Sequence, residues 1–436
     1  MRKNKIFKKL LILAAVLLLV NMSLLSVVGT STKSDYPLPP PLEIDMTLEE
    51  SMMRRMSIRE FTDDPVSDEE LGTVLWAAHG IRDDDTYTIP SINGVYAAII
   101  YILLEDAAYT YDPLNHTLVH YKDGDWRDTV GWQYEAPVQL GLCWNTDIAD
   151  INHAGAEIGQ MVQNIYFTAN SLDLGTVACG QYPGAIGPLG IPDNHDGFLV
   201  MPLGHPAHPY NFKYRPMLLS LLPKVQCSEM TLTDAIIQRE ETNTFSGELT
   251  RQQESQLIWA AYGYSYYFDR SENEIGRLDR HRTIPSAHGY YPNDMYIVKE
   301  SGIYRYFPTF YNPLYGLLKN CFFLPITPFM LRIAIGDYRS EIAEASSNPD
   351  IESSPFIVIP VLDEKKSGRD FDDLSGEQWR WLWYHDASAS SYNILLEATA
   401  QGLSGNIVIP EDIETISSAL KLNEDQIPLL MVTVSN

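Results

Sequence analysis

The chain is poor in positive charge, poor in cysteine and nearly free of long apolar runs, and each scarcity removes a class of explanation. Against 57 Asp and Glu there are only 31 Lys and Arg, a formal net charge of −26 over 436 residues. Five of those cations (Arg2, Lys3, Lys5, Lys8, Lys9) lie in residues 1–30, which hold no acid, so the remainder stands near −31. A surface that acidic repels phosphate backbones, which excludes nucleic acid as a partner. The 4 cysteines (Cys143, Cys179, Cys227, Cys321) lack Cys-x-x-Cys spacing and form no disulfide framework; an oxidising compartment would still permit one bridge. His205-Pro-Ala-His208 has the look of a metal pair. The proline prevents helical i, i+3 presentation and no carboxylate pattern supports it, so no metal is expected.

The one long apolar run, Leu10 to Val28, is broken only by Asn21, Ser23 and Ser26 and follows the basic cluster. Its 19 residues are marginally enough to span a bilayer, while Leu10–Val20 alone has the length of a signal-peptide core. Residues 1–33 are therefore expected to be a signal peptide or an N-terminal membrane anchor. Either way the positive-inside bias puts Ser31 onward outside the cytoplasm, secreted or held by residues 10–28. A Pro-rich linker follows at 34–45, with Tyr36-Pro-Leu-Pro-Pro-Pro-Leu42 as a stiff tether.

What the sequence has in plenty is itself. Thr88-Ile-Pro-Ser-Ile-Asn-Gly-Val-Tyr96 returns as Thr283-Ile-Pro-Ser-Ala-His-Gly-Tyr-Tyr291, an offset of 195 residues. Met46-Thr-Leu pairs with Met230-Thr-Leu, Arg55 with Arg239, Phe61 with Phe245, and Leu75-Trp-Ala-Ala-His-Gly80 with Ile258-Trp-Ala-Ala-Tyr-Gly263. Downstream, Gly124-Asp-Trp-Arg127 pairs with Gly336-Asp-Tyr-Arg339, and Asn164 with Asn393. The offset grows from 184 to 229, placing insertions in the second copy near 264–281 and 310–335. Self-similarity at matching points implies two repeats of one domain, at 46–222 and 228–436. Twofold pairing is the commonest protein assembly, so the natural reading is a fused pseudo-dimer.

Each repeat opens with capping signals, Thr47 and Thr231 and then Ser67 and Thr250, ahead of short helices. Strands are predicted at Val95–Leu104, Asp294–Val298, Pro137–Cys143, Pro355–Ile359, Gly197–Met201 and Pro428–Val434. Tyr109–Pro113 and Tyr304–Pro308 should supply hairpin returns. The long helices Ala154–Leu172 and Ala387–Leu403 are rich in small residues (Gly155 and Gly159; Ser388 and Ser390), which suits close helix–helix approach at a seam. Helices flanking an antiparallel-rich sheet make the fold class α+β.

The segment Arg54-Arg-Met-Ser-Ile-Arg-Glu-Phe-Thr-Asp-Asp-Pro-Val-Ser-Asp-Glu-Glu-Leu71 resembles the opening of the nitroreductase family. That opening reads Arg-x-Ser-x-Arg/Lys, then Phe, Pro-Val-Ser and Glu-Glu-Leu. The stretch Arg282-Thr-Ile-Pro-Ser-Ala-His-Gly-Tyr-Tyr-Pro292 is similar to the signature of the SagB-type dehydrogenase branch, which includes azoline-oxidising enzymes. The resemblance implies two tandem nitroreductase-like α+β sandwich domains forming an intramolecular pseudo-dimer, bound FMN, and hydride transfer at the flavin N5.

Carried onto this sequence, the resemblance names a site. A phosphate dianion needs guanidinium or ammonium partners, and Arg55, Met56, Ser57 and Arg59 supply the first motif. Lys213 and Arg215 match a distal cationic pair. Pro285, Ser286 and His288 come from the second repeat's loop, because in the family the two kinds of contact come from different subunits. Gly180 belongs to the segment, Ala178-Cys179-Gly180, that should donate an N–H to flavin N5; Cys179 reads as a packed thiol. The second repeat has Arg239-Glu-Glu241-Thr-Asn243 where the first has Arg55-Met-Ser57-Ile-Arg59. Its carboxylates would repel a phosphate, so one FMN per chain is expected.

The resulting expectation is an exported or membrane-anchored FMN-dependent oxidoreductase acting on a small-molecule or peptide substrate. Reduced nicotinamides are scarce outside the cytoplasm, which favours a quinone or membrane electron carrier as redox partner. A non-catalytic flavin-binding or interaction protein is one alternative, and an azoline dehydrogenase is another.

Overall fold

A computed structural model describes residues 34–90, 92, 94–130, 134–180, 186–208, 221–265, 282–308, 328–346, 348–368 and 373–436. Residues 1–33, the expected signal peptide or membrane anchor, fall outside them, as do Lys213, Arg215 and Cys321. No helix among the described residues is long and apolar enough to cross a membrane.

The first repeat carries helices α1 (Leu48–Arg54), α2 (Asp68–His79) and α3 (Ile151–Ser171), and the second carries α4 (Leu232–Gln238), α5 (Arg251–Tyr262) and α6 (Arg380–Ala400). Local chemistry sets their starts. Thr47 and Thr231 accept backbone N–H bonds from Glu50 and Asp234, and Ser67 and Thr250 form complete capping boxes with Glu70 and Gln253. The first sheet contains β1 (Tyr36–Pro37), β2 (Ala98–Leu103), β3 (Ala107–Asp112), β4 (Thr117–Asp123), β5 (Val138–Asn145), β6 (Gly175–Thr176), β7 (Cys179–Gly180) and β8 (His195–Gly204). The second contains β9 (Asn293–Lys299), β10 (Gly302–Phe307), β11 (Phe329–Ile335), β12 (Phe356–Asp363), β13 (Ser404–Val408), β14 (Gln426–Pro428) and β15 (Met431–Ser435).

Their orders correspond: β4-β3-β2-β5-β8-β6 in the first sheet, with β1 added outside β4, and β11-β10-β9-β12-β15-β13 in the second. Part of the stretch read as an insertion, 329–335, is therefore the strand corresponding to β4. Strand β2 begins later than its apolar run, because the Glu157 carboxylate takes the backbone N–H groups of Ala97 and Ala98 at 2.8 and 3.1 Å. Similarly, α6 starts at Arg380, ahead of the small-residue run that marked it.

Tyr36–Asn436 forms one unit, whose largest apolar cluster draws on both repeats, from Leu48, Ile165 and Phe198 to Tyr392, Leu396 and Val432. Helices α3 and α6 meet at its centre. A Cβ on Gly159 would sit 2.3 Å from the His385 carbonyl oxygen, and one on Gly155 would sit 2.6 Å from that of Trp381. Glycine at both positions is what lets the two backbones touch. Between the helices Gln163 donates to Asn393 at 2.8 Å and Asn164 to the Tyr392 hydroxyl at 2.9 Å. The repeats also pair at their openings, where Leu48 N–H donates to Met230 and Leu232 N–H to Met46.

Candidate functional site

The chain after α1 turns extended at Arg55, and this segment runs from the buried seam to the surface. Arg55 is 3% exposed. Its Nε donates to the backbone carbonyl of Arg282 at 2.9 Å, and its guanidinium lies 5.2 Å from the Tyr166 ring of α3. One terminal nitrogen, Nη1, is buried with no hydrogen-bond partner. Met56 is buried and its N–H donates to Asn170 at 2.9 Å. The Ser57 hydroxyl shares a 3.0 Å hydrogen bond with Tyr166 Oη, which also accepts from Ala178 N–H at 2.8 Å. Arg59 is exposed and reaches back to the Ser57 carbonyl at 3.3 Å. Burial pushes the Tyr166 hydroxyl upward in pKa, and the nearby Arg55 and Arg59 charges oppose that shift. Tyr166 thus ties the arginine motif to the Ala178–Gly180 segment.

Gly180 is exposed, and a Cβ placed on it would meet nothing within 4 Å. Its neighbour Cys179 is buried, with its thiol pushed up to about 12 by burial. That is a packed thiol, as the sequence reading held.

From the second repeat comes the loop around Pro285. Arg282 lies 4.6, 5.1 and 4.3 Å from the rings of Tyr262, Tyr264 and Tyr291, a three-sided aromatic surround. Its Nε and Nη1 are buried and unpartnered, as is the Tyr262 hydroxyl. Ser286 donates from Oγ to the buried Asp386 carboxylate of α6 and accepts from Tyr291 N–H. Burial pushes the Asp386 carboxyl upward, against the lowering effects of His385 and Ser286. His288 is exposed with φ 51°, beside Gly289 at 67°, so the turn leaves the right-handed region for two residues. Its ring lies 5.4 Å from that of Tyr290.

The structure therefore brings Arg55, Ser57 and Arg59 near Gly180 through Tyr166, and sets Arg55 against Arg282, just ahead of Pro285 and Ser286. Lys213 and Arg215 lie outside the described residues. Sequence reasoning did not single out Tyr166 or the tyrosines around Arg282, because their roles depend on partners far along the chain. Pockets of unpartnered guanidinium N–H groups favour an anion, since a buried donor without an acceptor costs roughly 1–3 kcal/mol.

The corresponding place in the other direction is built differently. Arg239, the counterpart of Arg55, donates to the Tyr87 carbonyl at 3.4 Å, and Tyr87 corresponds to Arg282. Here, however, Arg239 Nη1 also holds Glu241 at 2.8 Å, with side-chain exposures of 1% and 38%. Arg82 crosses as well, donating to the carbonyls of Ile237 and Arg239 at 2.9 and 2.7 Å. A carboxylate of the chain itself neutralises this arginine.

The nitroreductase family model matches residues 52–205, so the first repeat contains a nitroreductase family domain. A protein of Methanocaldococcus jannaschii whose name places it among the nitroreductases is 29% identical over 168 residues, covering 33% of this chain and 82% of its own. A crystal structure from Ralstonia eutropha JMP134, named in the same way, has 26% identity and a TM-score of 0.38, covering 42% of this chain and 93% of its own. Another, from Anabaena variabilis, covers 94% of each chain with a TM-score of 0.64 at 13% identity. That last likeness is one of fold, and it runs through both repeats.

Proposed function

We propose that the protein is an FMN-dependent oxidoreductase of the nitroreductase type, working outside the cytoplasm, with its two repeats arranged as a fused pseudo-dimer and one flavin between them. The observation that carries this reading is the buried Arg55 guanidinium, fixed on the second repeat's Arg282 carbonyl with Nη1 free of partners. The phosphate would be held by Arg55, Ser57 and Arg59, joined by Lys213 and Arg215. Pro285, Ser286 and His288 would border the ring system from the other repeat, and the open side of Gly180 would give it room. Bound flavin would supply two-electron hydride chemistry at N5.

The residues themselves do the preparatory work. Tyr166 holds the Ser57 hydroxyl and the Ala178 N–H in one arrangement, fixing motif and segment together. Asp386 engages Ser286, so this hydroxyl positions the loop and is not free to swing toward a ligand. The tyrosines around Arg282 keep water from one side of the site and stabilise its charge by roughly 0.5–2 kcal/mol per favourable ring. The Arg239–Glu241 pair supports the single-site stoichiometry, because the second anion position is already neutralised.

Acid-released flavin measured against protein tests the reading. A ratio near one is expected. A ratio near two would remove the asymmetry, and no flavin after reconstitution with FMN would remove the cofactor.

A further inference from the structure

We infer that strand β11, at the open edge of the second sheet, is a lipid-bilayer docking surface. Ten large apolar side chains are exposed among the described residues, and three of them, Leu331 at 50%, Ile333 at 42% and Ile335 at 77%, belong to this one strand. No other described element carries more than one. The corresponding edge strand of the first sheet, β4, has no exposed large apolar side chain and is covered by β1, with Tyr36 opposite Leu118 and Pro37 opposite Thr117. On its outer side β11 pairs with no strand among the described residues. An uncovered apolar edge is an aggregation hazard in water unless something occupies it.

The sequence around this edge indicates the occupant. Between Glu300 and Asp337 not one of the chain's 57 acidic residues occurs, although Arg305, Lys319 and Arg332 do. Over most of its length the chain is so acidic that a bilayer surface of negative potential would repel it; this stretch, like residues 1–30 and 197–228, carries cations and no acid. The connection between β10 and β11 is rich in large apolar residues, among them Phe310, Leu314, Leu317, Leu318, Phe322, Phe323 and Leu324. The first repeat turns between β3 and β4 through Pro113, Leu114, Asn115 and His116. The Phe307 and Phe329 rings stack at 4.8 Å where the two strands reach that connection, holding its ends together. Apolar side chains with interspersed cations are what binds the boundary between headgroups and acyl chains. A second copy of this chain would instead bring another surface of high negative charge to the edge.

The test uses the full chain carrying Cys227→Ser, Cys321→Ser and Ile335→Cys, labelled at the new thiol with an environment-sensitive fluorophore. Vesicles of phosphatidylcholine and phosphatidylglycerol, with and without nitroxide-labelled acyl chains, are the probe. The inference predicts a blue shift on adding vesicles, loss of that emission to the nitroxides, and loss of both effects on adding Leu331→Asp and Ile333→Asp. Water-like emission from vesicle-bound protein, or failure to bind vesicles, would overturn it. A blue shift that precedes lipid and grows with protein concentration would give the edge to a second copy. One that precedes lipid at all concentrations would give it to the chain's own residues. Both of those results also refute the bilayer. None of these readouts depends on flavin content.

Discussion

Removing Glu241 should turn the second arginine position into a measurable anion site. Arg239 is almost wholly buried, and it donates to the Glu241 carboxylate at 2.8 Å and to the Tyr87 carbonyl, with the Tyr392 hydroxyl also in contact. Arg82 is nearby, its guanidinium pKa lowered by burial and then by the Arg239 charge. In Glu241→Ala those two cations lose a counter-charge. Breaking a fully buried pair costs about 3–5 kcal/mol, but Glu241 is 38% exposed, so screening reduces the expected loss to about 1–2 kcal/mol. Inorganic phosphate should then replace the carboxylate. With a dissociation constant of order 1 mM, about 20 mM phosphate would restore roughly 1.8 kcal/mol through mass action. Urea unfolding of wild type and variant, in chloride and in phosphate at matched ionic strength, reads both effects. Phosphate should stabilise the variant well beyond the wild type. An equal response in the two proteins, or a variant as stable as wild type in chloride, would refute the idea that Glu241 occupies an anion position.

Gly159→Val should destabilise the chain by about 1–3 kcal/mol through overpacking against the His385 carbonyl, seen as a lower melting temperature with flavin absent or present. Glu397 is fully buried, with its carboxyl pKa raised well above the ordinary range first by burial and then by Glu49. A carboxyl raised on folding stabilises below its unfolded value, near 4.3, and loses that contribution as pH climbs through the folded value. Wild-type stability should therefore fall over that window, and Glu397→Gln should flatten the fall and be the more stable protein at pH 7; identical pH profiles would contradict this. Arg59→Ala should weaken FMN binding roughly 10- to 100-fold, for a charge-assisted contact of about 1.5–3 kcal/mol. Asn243→Ala, which loses only an exposed bond from Asn406, should leave FMN binding unchanged in the same equilibrium titration.

The repeat and the strands were legible because burial leaves a local trace. Val138–Asn145 is apolar nearly throughout because seven of its eight residues are buried, and the starts of α1 to α5, though not of α6, carry their own capping residues. The seam was legible too, since Gly155 and Gly159 could be there only for close approach. What could not be read was where charges face. Glu241 reads as a repulsive neighbour for a phosphate, yet it folds onto Arg239. Arg55 reads as a phosphate ligand, yet one of its nitrogens is held by a carbonyl 227 residues away. Ser286 reads as a cofactor-loop residue, and nothing in the sequence shows that its hydroxyl is taken by Asp386, 100 residues on. Such pairings are set by packing of the two repeats and leave no periodicity behind.

Helix α3 is buried without a break from Ala154 to Asn170, and much of what buries it is α6, which begins at Arg380. Translation emits about 5–20 residues per second. More than 200 residues separate the helices, so α3 waits on the order of 10–40 s at the ribosome before its partner is made. Throughout that interval an apolar helix with glycine notches is available to any other helix, including the same α3 on a neighbouring nascent chain. The yield of correctly folded protein should therefore depend on how densely ribosomes load the message.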